Sequence, residues 1–144
     1  MTLSGIIYHD VEESFRMAGP YMGTLNFKGQ FLNGRFLADG ERLSQDKRKL
    51  IFSRFVGVRK SGLFGLGSQR MFHILIYDEI EDEFYQSVKS YECLAIERME
   101  DKVITFHEAF HTSTDEFKQT IEFNENNFKK IEKGILFTTI NKAH

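Results

Sequence analysis

Short runs of β-branched and aromatic residues recur along this chain, each bounded by a turn of glycine or charged residues, and that spacing limits the fold more than any other feature. Residues 24–32, 35–38, 49–56, 71–77, 91–99, 103–110 and 117–123 each read as a strand, because such side chains suit a pleated, half-buried surface. Strands at this spacing pair in series. The expected fold class is therefore mainly β, an antiparallel meander forming a small barrel or sandwich with one or two short helices. Asn33-Gly34 is the strongest local signal within it, since this dipeptide best accommodates the two positive φ angles of a type I′ hairpin turn.

The helices are expected at the ends. Asp10 offers a cap with Glu13 three residues on, Val11, Phe15 and Ala18 share a helical face, and Gly19-Pro20 stops the run, which predicts a helix over 11–18. Residues 79–89 read as helix or strand. Residues 124–133 read as a short helix stopped by Gly134, followed by a strand over 135–140.

A chain of 144 residues with one proline, Pro20, and no Ser/Gly/Pro linker is expected to form a single β-rich domain over 1–144. At that length folding buries roughly two thirds of the extended chain's surface. Fifteen Phe and 5 Tyr with no Trp imply an aromatic-rich core, an apolar cavity or a sticky face. A net charge of −2 provides no global field for nucleic acid, and none is expected as a partner. The lone Cys93 excludes an internal disulfide, reads as a packed residue of an apolar strand, and fits a cytoplasmic location. The N-terminal residues lack the pattern of a secretory signal, and no run reaches the ~20 apolar residues of a membrane span.

His107-Glu108-Ala109-Phe110-His111 is the one segment that names a chemistry. It resembles the His-Glu-x-x-His signature of zinc metallopeptidases, in which a helix presents both histidines to the metal and the glutamate acts as general base on the bound water. That resemblance implies His107, His111 and Glu132 as zinc ligands and Glu108 as the base. Zinc is the one cofactor it introduces; otherwise none is expected. The flanking residues favour a strand instead: Val103, Ile104 and Thr105 precede the motif and Thr112 and Thr114 follow it, all of low helix propensity. In a strand His107 and His111 share a face with Val103 and Thr105, while Glu108 falls on the other with Ile104 and Phe106. The base is then separated from the metal by the sheet, and a catalytic role for Glu108 is not favoured.

An internal echo supports the strand reading. Residues 44–55 and 99–110 both run from an Asp-Lys turn into an apolar stretch ending in Phe. The first copy resembles the Ser-Pro-Asp-Gly blade signature of bacterial β-propellers, with Gln45 in place of proline and Lys47 in place of glycine. At ~40–50 residues per blade the chain holds too few blades to close a ring.

Between Val58 and Arg70 lies a loop with three glycines that carries Leu63, Phe64 and Leu66 and is flanked by Arg59, Lys60 and Arg70. It lacks the Gly-Lys-Ser/Thr end of a P-loop. Apolar side chains on such a loop suit closure over a ligand or entry into a partner's groove, so these six residues form the expected ligand or partner loop. Three function classes follow: a non-catalytic binding domain for an apolar or amphipathic small ligand in a Phe-lined pocket, a protein–protein interaction or regulatory module of the toxin-neutralising type, and the zinc hydrolase. The first resembles lipocalin-like and intracellular lipid-binding barrels in architecture alone, since the early Gly-x-Trp of lipocalins is missing.

Overall fold

The structure, a computed structural model, describes residues 5–13, 21–61, 67–108 and 118–137. Antiparallel strands dominate these residues. In chain order they are β1 (Ile6–Glu13), β2 (Tyr21–Phe27), β3 (Gln30–Phe31), β4 (Arg35–Leu37), β5 (Arg42–Leu43), β6 (Lys49–Ser61), β7 (Gly67–Asp78), β8 (Glu83–Ser87), β9 (Tyr91–Glu92), β10 (Ala95–Glu100), β11 (Val103–His107), β12 (Lys118–Glu122) and β13 (Phe128–Ile131), with one short helix, α1 (Lys133–Leu136). A large sheet runs β1-β2-β4-β6-β7-β8-β13, with β3, β5 and β9 paired beside it, and a second sheet runs β10-β11-β12. None of the described helical residues forms a helix long and apolar enough to cross a membrane.

Each face of the large sheet carries its own core. Along β6, Leu50 and Phe52 point to one side and Ile51 to the other; along β7, Leu75 and Tyr77 alternate with Ile74 and Ile76. The Ile51 side is covered by the second sheet, whose Ile96, Met99, Ile104 and Phe106 join Phe72, Ile74, Ile76 and Phe128 in one buried cluster. That arrangement is the expected sandwich of antiparallel strands.

The opposite face curls around itself. In a flat sheet β2 and β8, four strand steps apart, would be separated by about 19 Å. Yet the Phe27 and Phe84 rings lie 5.9 Å apart. The two ends of the sheet meet at a seam: Leu32 bridges to Phe137, the Asn33 backbone N–H donates to Leu136 O at 2.7 Å, and Asn33 Nδ2 donates to Ile135 O at 2.7 Å. No further ladder joins these ends among the described residues. The large sheet thus bends towards a barrel without closing into one, and Leu25, Phe27, Phe36, Phe52, Phe84 and Leu136 fill the bend.

Several local expectations are corrected. Val11–Glu13 belong to β1 rather than to a helix over 11–18, whose remaining residues lie outside the described ones. β1 pairs with β2 from Ile6 to Glu13 through a bulge between His9 and Glu12, with Asp10 at φ 52°. The bulge is possible because Gly23 lies beneath it: a Cβ there would stand 2.8 Å from His9 O and 2.9 Å from Val11 Cγ2. Gly23→Ala is accordingly expected to destabilise the protein by about 1–3 kcal/mol. A urea midpoint equal to that of the parent chain would remove this account of the bulge.

The type I′-like turn sits at Lys28-Gly29 (φ 52° and 87°), not at Asn33-Gly34. Residues 30–37 run back along β2 as β3 and β4, and Asn33-Gly34 interrupts that return path, with Gly34 alone at positive φ, 97°. Residues 79–82 form a turn in which Asp78 Oδ1 accepts from the backbone N–H of Ile80 and Glu81, and β8 follows, so no helix spans 79–89. Asn124 Oδ1 likewise accepts from Asn126 and Asn127 N–H ahead of β13, which replaces the helix expected over 124–133. Ile135 and Leu136 are helical rather than the start of a strand. Cys93 lies in a turn after β9, with φ 48° and its N–H donating to Arg70 O, rather than within a strand.

Candidate functional site

The His-Glu segment forms the end of a strand. β11 pairs with β10 on one side, where Ala95 faces His107, and with β12 on the other, where Lys118 faces His107. Ile104 and Phe106 point into the core between the sheets, as strand alternation requires. On the other face Thr105 and His107 are only 6% and 5% exposed. His107 is therefore buried on the face of β11 that points away from the inter-sheet core.

Its ring is held on one side only. Nε2 lies 3.5 Å from Glu97 Oε1, which also receives Lys118 Nζ at 3.0 Å, and Arg98 pairs with the same carboxylate. The Lys118 hydrogen bond is the main reason the Glu97 carboxyl is held below the usual range. Among the described residues His107 Nδ1 has no hydrogen-bond partner.

Glu108 is exposed and hydrogen-bonded to both neighbouring elements. Its Oε2 accepts from Glu92 N–H at 2.8 Å and its Oε1 from Gln119 Nε2 at 2.7 Å, so the carboxylate ties β9 to β12 across the end of β11. Glu132 immediately precedes α1 at the end of the large sheet, whereas His107 lies in the second sheet; His111 lies outside the described residues. No group of three or more His, Cys, Asp or Glu placed to hold a metal occurs among the described residues.

The basic loop is mostly a hairpin arm. β6 continues to Ser61 and β7 begins at Gly67, which leaves 62–66 between them; Leu63, Phe64 and Leu66 fall there, outside the described residues. A bulge at Gly57 (φ 139°) offsets the outer part of the arm from the part that packs in the core. Val56 and Val58 are exposed beside it. Arg59 grips Gln69 Oε1 through Nε at 3.0 Å and Nη2 at 2.7 Å across the ladder, Lys60 is exposed, and Arg70 sits at the base, where its carbonyl receives the Cys93 N–H.

A pocket that no sequence motif announces opens at the rim, at the β13 end of the interface between the sheets. It measures about 350 Å³, and its apolar walls are Tyr85, Phe123 and Phe128, with Lys129 and Lys130 among its lining. The three rings form an edge-to-face series, Tyr85 to Phe123 and Phe123 to Phe128 each at 5.2 Å between centroids. Tyr85 is anchored by its hydroxyl, which donates to Glu81 Oε1 at 2.6 Å, and this bond pushes the phenol pKa up to about 12. Lys49 Nζ lies 5.8 Å from the Phe123 ring centroid, Lys129 Nζ donates to Glu125 O, and Lys130 Nζ stands 3.9 Å from Glu83. The sequence signal for this site was two phenylalanines, 123 and 128, bracketing an Asn-rich turn, but its third wall comes from β8.

Comparison with protein-family models, with curated proteins and with solved structures finds no match to this chain.

Proposed function

We propose that this chain is a binding domain, not a catalyst, and that it takes an apolar or amphipathic small molecule in the pocket lined by Tyr85, Phe123 and Phe128. The supporting observation is the pocket itself: about 350 Å³, within the range of roughly 300–1,000 Å³ usual for small-molecule sites, with an aromatic lining and charged groups at its edge. An apolar body would stack on Phe123, and an acidic head would find the ammonium groups of Lys129 and Lys130. The phenylalanines inside the curled sheet are a less suitable host, because Phe27, Phe36, Phe52 and Phe84 already fill that space against one another.

A titration with anilinonaphthalene sulfonate, an amphipathic fluorescent anion, tests this reading. One-to-one saturable binding is expected, weakened about tenfold by Phe123→Ala through loss of the apolar contact. Undiminished binding by a folded Phe123→Ala variant would place the ligand elsewhere.

A second reading, a protein-interaction module, has its own observation. The outer β6–β7 arm carries exposed Val56 and Val58 with Arg59 and Lys60, and the turn after β7 carries Ile80, 65% exposed, between Glu79 and Glu81. Paired apolar and charged surface of this kind suits a partner interface. A cytoplasmic location accords with either reading.

A further inference from the structure

Asn33 holds the seam of the curled sheet, and it precedes a glycine. Its side-chain Nδ2 donates to Ile135 O at 2.7 Å and its backbone N–H to Leu136 O at 2.7 Å, while its own carbonyl accepts from Arg54 Nη2 at 3.1 Å. Both Asn33 and Gly34 are exposed. Asn33-Gly34 is the only Asn-Gly pair in the sequence. A following glycine has no side chain to shield its nitrogen or to resist the backbone rotation that brings this nitrogen to the asparagine carboxamide.

We propose that Asn33 is a self-modification site, a deamidating latch that keeps the seam closed while its amide is intact and releases it once converted. In the reaction the Gly34 nitrogen loses its proton and forms a bond to Asn33 Cγ. The Cγ–Nδ2 bond breaks, and ammonia leaves carrying that proton, which gives a five-membered succinimide. Water then opens the ring at one carbonyl or the other, to aspartate or isoaspartate. No oxidant or cofactor takes part.

The structure gives this chemistry a consequence. Aspartate replaces the amide donor with a carboxylate oxygen facing Ile135 O, so two acceptors meet where a hydrogen bond stood; in isoaspartate Cγ is taken into the backbone, the free carboxylate stands at the former main-chain carbonyl, and the donor to Ile135 O is lost as well. Isoaspartate also inserts a methylene into the backbone and disrupts the Asn33 N–H to Leu136 O contact. Because Nδ2 is engaged in the closed seam, the native state holds the carboxamide away from attack, and conversion proceeds from the open seam. The modification thereby traps the open form.

Incubation of the full chain at mildly alkaline pH, followed by trypsin and chromatography with mass detection, reads the conversion directly. Cleavage after Lys28 and Arg35 releases residues 29–35, in which Asn33 is the only asparagine. Conversion is expected in native buffer, at a rate several-fold slower than in urea, and the converted fraction should melt about 3–6 °C lower than the parent. Asn33→Asp should melt below the parent but no lower than the converted fraction, which also contains isoaspartate. Equal rates in buffer and urea would overturn the latch, as would a native sample unconverted after the urea sample has gone to completion. A converted fraction that melts with the parent would overturn it too, and that measurement stands even where Asn33→Asp fails to fold.

Discussion

Replacing Phe52 by alanine is expected to cost about 3–5 kcal/mol, seen as a lower urea midpoint at unchanged slope. The ring is fully buried in the bend of the large sheet, with edge contacts to Phe27 at 6.1 Å and to Phe36 at 6.2 Å. Removing it takes away the apolar burial and leaves a cavity between β2, β4 and β6, whose backbones are fixed by ladder hydrogen bonds and cannot collapse inwards. A domain of this size has only ~5–15 kcal/mol of net stability, so this loss is a large part of the whole. A midpoint shift equivalent to less than about 1 kcal/mol would mean that the rings do not fill the bend.

Phe52 also shows what could be read from the chain and what could not. The alternation of Leu50 and Phe52 with Ile51 marks β6 as a strand buried on both faces, and the unbroken apolar run from Ile74 to Tyr77 does the same for β7. The turn at Glu100-Asp101-Lys102 is where the sequence placed it, with Asp101 at φ 54° between β10 and β11. These features depend on local pattern. The helix expected from Asp10 onwards failed because its cap-like signature competes with a tertiary contact: Gly23, thirteen residues on, makes room for a bulged strand, and pairing with β2 outweighs weak helix propensity. The Asn33-Gly34 hairpin failed for a related reason. Lys28-Gly29 already makes the tight turn, and Asn33 instead spends its donors on residues 102 and 103 positions away.

The candidate site was less legible than the fold. Its pocket is assembled from β8, the turn after β12 and β13, segments far apart in sequence that the pairing of β8 with β13 brings together, and three aromatic residues at these spacings carry no motif. The His-Glu pair shows the reverse: a motif with a strong chemical name, normally carried on a helix, that here lies at the end of a strand. Thr105 and Val103 predicted a strand, the strand formed, and Glu108 came to rest on Glu92 N–H and Gln119. What the sequence could not anticipate is the burial of His107, only 5% exposed on the outer face of β11.

Phe106→Ala is expected to cost about 3–5 kcal/mol as well, and to lower a single unfolding transition rather than release the second sheet by itself. Phe106 is 1% exposed and meets Tyr91 edge-on at 4.6 Å, in the cluster that joins β10 and β11 to the Ile51 side of the large sheet. The reasoning for a single transition rests on β6 and β7. Each of these strands sends alternate side chains into both clusters, so neither face can lose its packing while the other keeps the strands in place. Backbone contacts reinforce the link: Gln45 N–H donates to Met99 O at 2.9 Å, and Ser53 Oγ to Leu94 O at 2.9 Å. Far-ultraviolet circular dichroism reports all the strands, and tyrosine fluorescence reports Tyr8, Tyr21, Tyr77, Tyr85 and Tyr91, all on strands of the large sheet, of which Tyr91 lies against Phe106 of the second. The two signals should trace one curve with a common midpoint in Phe106→Ala, displaced from that of the parent. A variant whose fluorescence changes at a lower urea concentration than its circular dichroism would show that the second sheet separates first, and that the strands shared by the two clusters do not couple them.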